Sequence, residues 1–274
     1  MSMQQESVWL GPMRQPVRVA AIAATAAAVL TCGWLIVNRL FLGSEIGMHQ
    51  MLRPGDLISV KLALWSLFAA LLLGSVYLSD IRGAIEIEAE GFFDWISLVL
   101  SRLAMISTVL IVLVMFYEVV ARYVFEKPTL WANELSLWMA AFLFLLAGLY
   151  AMQQRSHIRI YVIYDMMPRW AQKLSDCISV FLIWVFAFCV IWGGYSEALT
   201  KLMRWEAFGT AWDPPLPGTL KPAIVLLVVL VALQALSNLI ADWNKAPEHH
   251  SPADDIDQTE IENIRRTLEI PKNG

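Results

Sequence analysis

Six long, nearly uninterrupted apolar blocks constrain this chain more than any other feature. They run over about residues 17–41, 57–78, 95–120, 130–152, 174–199 and 221–243. A hydrocarbon core of ~30 Å needs roughly 20 apolar helical residues at ~1.5 Å each. Backbone amides in lipid must be satisfied within the segment, so blocks of this length predict helices. A transmembrane barrel would instead show short alternating segments. The fold class expected is therefore all-α integral membrane, with about six transmembrane helices.

Composition agrees. Of 274 residues, 58% are hydrophobic and 16% charged, with a mean hydropathy of +0.58. A soluble domain averages about a quarter charged. The net charge is -4, much of it in a tail rich in acids at Asp254, Asp255, Asp257, Glu260 and Glu262. Such a tail is expected to be solvated, and no basic stripe points to nucleic acid. Cys32, Cys177 and Cys189 lie in or beside apolar blocks without a C-x-x-C pair, which predicts free thiols. Arg14 and Arg18 precede an apolar run longer than a signal-peptide core, so an uncleaved first span is expected.

The expected organisation has five parts. An N-terminal tail covers 1–16, an N-terminal transmembrane hairpin 17–80 and a charged connector 81–94. A four-helix core unit covers 95–243, and an acidic tail 244–274. Trp95, Trp131, Trp170, Trp212 and Trp243 fall at block ends, where an indole sits at headgroup level. Trp184 and Trp192 fall inside the fifth block and are expected to pack on neighbours or lipid. The cluster Arg155 to Lys173 places the fourth-to-fifth connection, and with it both termini, on the cytoplasmic side. No internal repeat is apparent.

Ionisable residues inside spans are functional suspects, and here they are scarce. Lys61 and Arg102 are expected to snorkel to nearby ends. Glu118 and Arg122 stand one turn apart in acid-first order, with Glu134 just across a short connection. A tie from Arg122 to Glu118 or Glu134 would clamp the third helix to the fourth. Glu197 and Lys201 repeat the spacing. Gln234 and Asn238 share a face of the sixth helix and are expected to hydrogen-bond a neighbour. Ala20, Ala24 and Ala28 line a face of the first helix that permits close contact. The stretch Gln153–Arg169 reads either as an interfacial connector meeting headgroups or as a docking surface. His49 and His157 lie in loops and His249 and His250 in the tail, which leaves no facing histidines for haem. Nucleotide-binding and nucleophile-elbow motifs are missing as well. No catalytic, cofactor-binding or metal-binding residue is expected.

The runs EVVARYVF (118–125), LWANELSLW (130–138) and HIRIYVIY (157–164) resemble the Q-type (DctQ-like) small membrane subunit of tripartite ATP-independent periplasmic, or TRAP, transporters. Arg122, Trp131, Glu134, His157 and Arg159 match the family pattern residue by residue. PPLPGTLKPAIVL (214–226), with Leu233–Gln234, resembles the branch associated with organic acids. The chain departs from the pattern at Tyr161, where the family often has an acid, with Asp165 nearby; the N-terminal hairpin also exceeds the usual four helices. The resemblance implies a scaffold in a bacterial inner membrane. Its partners would be a large membrane subunit, which uses a sodium gradient, and a periplasmic solute-binding protein. It implies no cofactor and no solute site in this chain. Glu118, Arg122, Trp131, Glu134, His157, Arg159, Gln234 and Asn238 are then structural or partner-contact candidates. The rival classes are a redox membrane anchor, which would require histidines within spans, and a stand-alone channel or exporter, which would carry flux alone.

Overall fold

The structure, a computed structural model, describes residues 7–81, 83, 86, 87, 89, 91–155, 164 and 166–244. A single 3-10 turn, Gly11–Met13, leads into α1 (Arg14–Phe41). There follow a short α2 (Met48–Leu52), α3 (Ile58–Ser79), α4 (Phe92–Tyr123), α5 (Ala132–Gln153), α6 (Arg169–Met203) and α7 (Leu216–Asp242). Among the described residues, six helices are long and apolar enough to cross a membrane. They coincide with the six expected blocks, and the chain is a multi-pass, all-helical membrane protein. The helices extend past the apolar blocks because polar residues at their ends continue the backbone ladder into the headgroup layer. α6 has 35 residues, ~52 Å long. Its uncharged stretch between Asp176 and Glu197 still matches one bilayer core.

Successive spans alternate in direction, so the starts of α1, α4 and α6 share one end with the finishes of α3, α5 and α7. We call this the terminal end and the opposite one the distal end. The packing order is close to linear: α1 on α3, α3 on α4, α4 on α5, α5 on α7, and α7 on α6. A lighter α4–α7 contact closes a three-helix centre. Ala104, Leu146, Leu149 and Leu227 form its apolar core. α1 and α6 are the two edges of the array and leave most of their circumference uncovered.

Small residues set the hairpin contact. Ala21, Ala28 and Leu35 of α1 are buried, and Ala63 and Val60 of α3 are fully so. Thr31 and Ser66 join their hydroxyls across this seam at 3.0 Å. The face expected to include Ala20 is rotated by one residue: Ala20 is exposed and Ala21 takes its place. A helix of 3.6 residues per turn runs 21, 24, 28, 35 along one side, so Ala20 lies off that line.

The hairpin also carries its own lock. Asp80, at the end of α3, is fully buried. One of its carboxylate oxygens accepts the Ser7 hydroxyl and the backbone N–H groups of Trp9 and Leu10, each at 2.9 Å. Arg14 reaches the other at 3.2 Å. Burial raises the Asp80 carboxyl, but the N–H groups of Leu10 and Trp9, the Ser7 hydroxyl and the Arg14 charge outweigh it and hold the carboxyl below its usual value. Trp9 then packs at a tilt of 35° against Trp95 of α4, centroids 5.1 Å apart. Stability from a depressed carboxyl is present above its unfolded value and lost as pH falls through the folded one. The lock is therefore expected to hold at neutral pH and to open only below the ordinary aspartate range of about 3.9. Asp80→Asn should cost about 1–2 kcal/mol. Thermal unfolding in detergent, followed by tryptophan fluorescence at pH 7, checks that value.

Candidate functional site

The buried polar side chains gather in two belts, one at each end of the central helices. At the terminal end, Asp94, Ser97, Ser101 and Arg102 recur at helical spacing on the inward face of α4, all buried. Gln234 of α7 is fully buried among them. Its amide nitrogen donates to Asp94 at 2.6 Å and to Asn238 at 2.9 Å, and its oxygen accepts the Ser97 hydroxyl at 3.0 Å. Asn238 donates to the Met152 carbonyl of α5 at 2.7 Å. The expectation that Gln234 and Asn238 bond a neighbouring helix holds for two of them, α4 and α5.

Arg102 does not snorkel. It lies about ten residues into α4, ~15 Å from the helix start. Connector residue Glu86 folds in to meet it. Arg102 Nη2 donates to Glu86 at 2.6 Å and to the Ile81 carbonyl at 3.0 Å. Tyr150 of α5 donates to the other Glu86 oxygen at 2.7 Å, and the Gly83 N–H adds a bond of 2.7 Å. Burial raises the Glu86 carboxyl, but Arg102, the Gly83 N–H and Tyr150 together bring it below its usual value. This ion pair costs desolvation that only full hydrogen bonding offsets. A second pair closes the belt: Arg155 holds Asp242 with two bonds, 2.5 and 2.8 Å.

At the distal end, Arg122 bonds Glu118 of its own helix at 2.6 and 3.0 Å. The other Glu118 oxygen takes the Thr129 hydroxyl and, at 3.0 Å, the Thr129 N–H. The clamp between α4 and α5 thus runs from Glu118 to the connecting loop. Glu134 instead accepts the Thr210 hydroxyl at 2.7 Å and ties α5 to the α6–α7 loop. Trp131 stacks on Tyr117, centroids 5.7 Å apart. Glu197 lies 4.0 Å from Lys201, but Lys221 and Glu206 make the closer pairs with them.

Trp212, expected at headgroup level, is covered by the outer loop of the hairpin. It is 4% exposed, and its indole N–H donates to the Met48 carbonyl of α2 at 3.0 Å. Arg53 and Asp213 pair nearby at 3.1 Å. The hairpin's outer loop therefore reaches across to the α6–α7 loop. Gly218 allows that loop its close approach, since a Cβ there would stand 3.0 Å from the Glu206 nitrogen. Trp192, 80% exposed, stacks on Phe188 on the open side of α6.

Of the expected site residues, the structure joins Glu118 with Arg122 and Gln234 with Asn238. It places Trp131 and Glu134 at separate contacts. His157 and Arg159 lie outside the described residues, as do Tyr161, Asp165 and the acidic tail from residue 245. Glu86, Asp94 and Tyr150 carry no expectation in the sequence, and Arg102, expected to snorkel, is paired inside the belt instead. The 94, 97, 101, 102 stripe was the signal for the α4 members. Nothing local marked Glu86, whose partners are 16 and 64 residues away.

Both belts tie helices to one another or to their connecting segments. Residues 111–245 match the family described as tripartite ATP-independent periplasmic transporters, DctQ component. No curated protein matches the chain. The matched segment starts within α4, takes in α5, α6 and α7, and leaves the α1–α3 hairpin outside. The Glu118–Arg122 clamp, Trp131 and Glu134 lie inside the matched segment, so residues 111–245 form a unit similar to the DctQ-like small membrane subunit of TRAP transporters, within a chain of six candidate spans.

Proposed function

We propose that this chain is the fixed scaffold of a sodium-coupled, binding-protein-dependent importer of an organic acid. It braces the large membrane subunit while that subunit moves the solute, and it binds neither solute nor cation itself. One observation carries this reading. The buried charges and amides are consumed in ties among the helices and their connecting segments, and the packed centre is filled by Ala104, Leu146, Leu149 and Leu227. A permeation path would need polar groups facing a cavity at mid-depth. The uncovered flanks of α4 and α6 supply apolar surface for a large membrane partner. The setting is the bacterial inner membrane with both termini cytoplasmic, since Arg155, Arg169 and Lys173 all stand at the terminal end.

In this reading the residue groups have distinct roles. The terminal belt fixes the angles among α4, α5 and α7, and the distal belt fixes their loops. The hairpin widens the platform on the α4 side. Proteoliposomes test the proposal. Sodium-dependent uptake of a carboxylate should require this chain, the large subunit and the binding protein together. Uptake by this chain alone, or full uptake without it, would reject the scaffold role.

A further inference from the structure

α5 and α6 both lean on α7 with little contact between them, and an apolar crevice of ≈ 200 Å³ opens in the angle. Phe144 and Gly148 of α5, Ile183 and Phe186 of α6, and Val228 and Val231 of α7 line it. Gly148 has nothing within 4 Å of where its Cβ would be, so the crevice floor is open. The mouth of the same angle, at the terminal end, is formed by the finish of α5, the start of α6 and the finish of α7. Among the described residues these contribute three cations, Arg155, Arg169 and Lys173, and two carboxylates, Asp176 and Asp242.

The cations are held in place. Arg155 uses two of a guanidinium's five donors on Asp242. Arg169 reaches the Gln172 side chain at 3.3 Å and the Asp242 carbonyl at 3.4 Å. Lys173 lies over the Trp243 ring at 4.7 Å. Asp176 accepts the Tyr164 hydroxyl at 2.7 Å. Trp170, 70% exposed, and Trp243 mark this level as the headgroup layer. From Ile183 back to Lys173 is ten residues of helix, ~15 Å. That is half of a ~30 Å hydrocarbon core, the depth one acyl chain fills.

We propose that this angle is a binding site for one anionic phospholipid. The phosphate meets Arg155, Arg169 and Lys173, and an acyl chain lies in the crevice. Basic pockets between spanning helices at the headgroup layer select anionic lipids by charge, and the apolar groove below adds residence. The lipid fills the gap that α5 and α6 leave, so it supports α6, whose main helix contact among the described residues is α7.

Native mass spectrometry of the purified full chain in detergent tests this. Palmitoyl-oleoyl phosphatidylglycerol and the matching phosphatidylcholine are the probes. Phosphatidylglycerol should bind at one copy and well above phosphatidylcholine. The double variant Arg169→Gln/Lys173→Gln should weaken phosphatidylglycerol about 30-fold, as expected for two neutralised basic side chains, and leave phosphatidylcholine unchanged. Gly148→Phe, which fills the crevice and leaves the cations, should weaken both lipids. Equal affinity for the two lipids, or phosphatidylglycerol binding unaffected in both variants, would overturn the site. Displacement of phosphatidylglycerol by millimolar inorganic phosphate would also overturn it, by pointing to a soluble anion.

Discussion

Arg102→Ala is expected to destabilise the chain by about 3–5 kcal/mol, the cost of leaving a buried charge without its partner. Its side chain is 10% exposed and that of Glu86 is 8% exposed. Removing the guanidinium leaves the buried Glu86 carboxylate without the cation paired to it, while Tyr150 and the Gly83 N–H still donate to it. The double variant Glu86→Gln/Arg102→Met removes both charges and should recover part of the loss. Arg122→Ala breaks a pair whose cation is half exposed and whose buried carboxylate keeps the Thr129 N–H and hydroxyl, so it should cost less, about 1 kcal/mol. Thermal unfolding of the three variants in one detergent gives the comparison. Equal effects for Arg102→Ala and Arg122→Ala would mean that the terminal ion pair is solvated.

The second large effect is expected at Gln234. Leucine in its place fits the apolar surroundings but strips Asp94 and Asn238 of a donor and Ser97 of an acceptor. A buried charged acceptor losing a donor costs about 2–3 kcal/mol. Interhelical bonds in membranes average nearer 0.6 kcal/mol, because the unfolded chain in lipid also finds partners. The larger figure applies here because Asp94 is a carboxylate. A double-mutant cycle with Asp94→Leu measures the coupling, which should be favourable and about 1–2 kcal/mol. A coupling near zero would show that the two side chains act independently.

How much of this was legible in the sequence depends on range. The six spans were, because a block of about 20 apolar residues has one stable solution in lipid. The pairing of Glu118 with Arg122 was legible for the same reason, as both lie on one helix a turn apart. Glu134 was read as a possible partner of Arg122 because it is near in sequence. Its actual contact, Thr210, is 76 residues away. Arg102 shows the limit most clearly. By its own surroundings it should extend toward water, yet a connector folds inward and delivers Glu86 to it. The choice between snorkelling and pairing rests on tertiary packing, which hydropathy does not contain. Trp212 follows the same logic, since its partner is the outer loop of the hairpin.

The hairpin itself is the least familiar part of the chain. The family match begins at residue 111, after it. Its attachment through Asp80, Trp9 and the Trp212–Met48 bond makes it an integral part of the helical array. A scaffold gains from such ties because each removes a way for α4 to tilt. On the proposed scaffold reading, the same ties would hold the chain in one arrangement during transport.

Distance measurements during transport address that point directly. Spin labels at Lys127 and Arg204, both exposed in distal loops, would be read by pulsed electron resonance. The three native cysteines would be replaced by serine and the labelled chain assembled with its partner subunits. A fixed scaffold predicts one distance distribution, unchanged to within about 1 Å, with and without sodium and solute. A reproducible shift of several ångströms on adding them would show that this chain moves with the cycle, and would contradict the account.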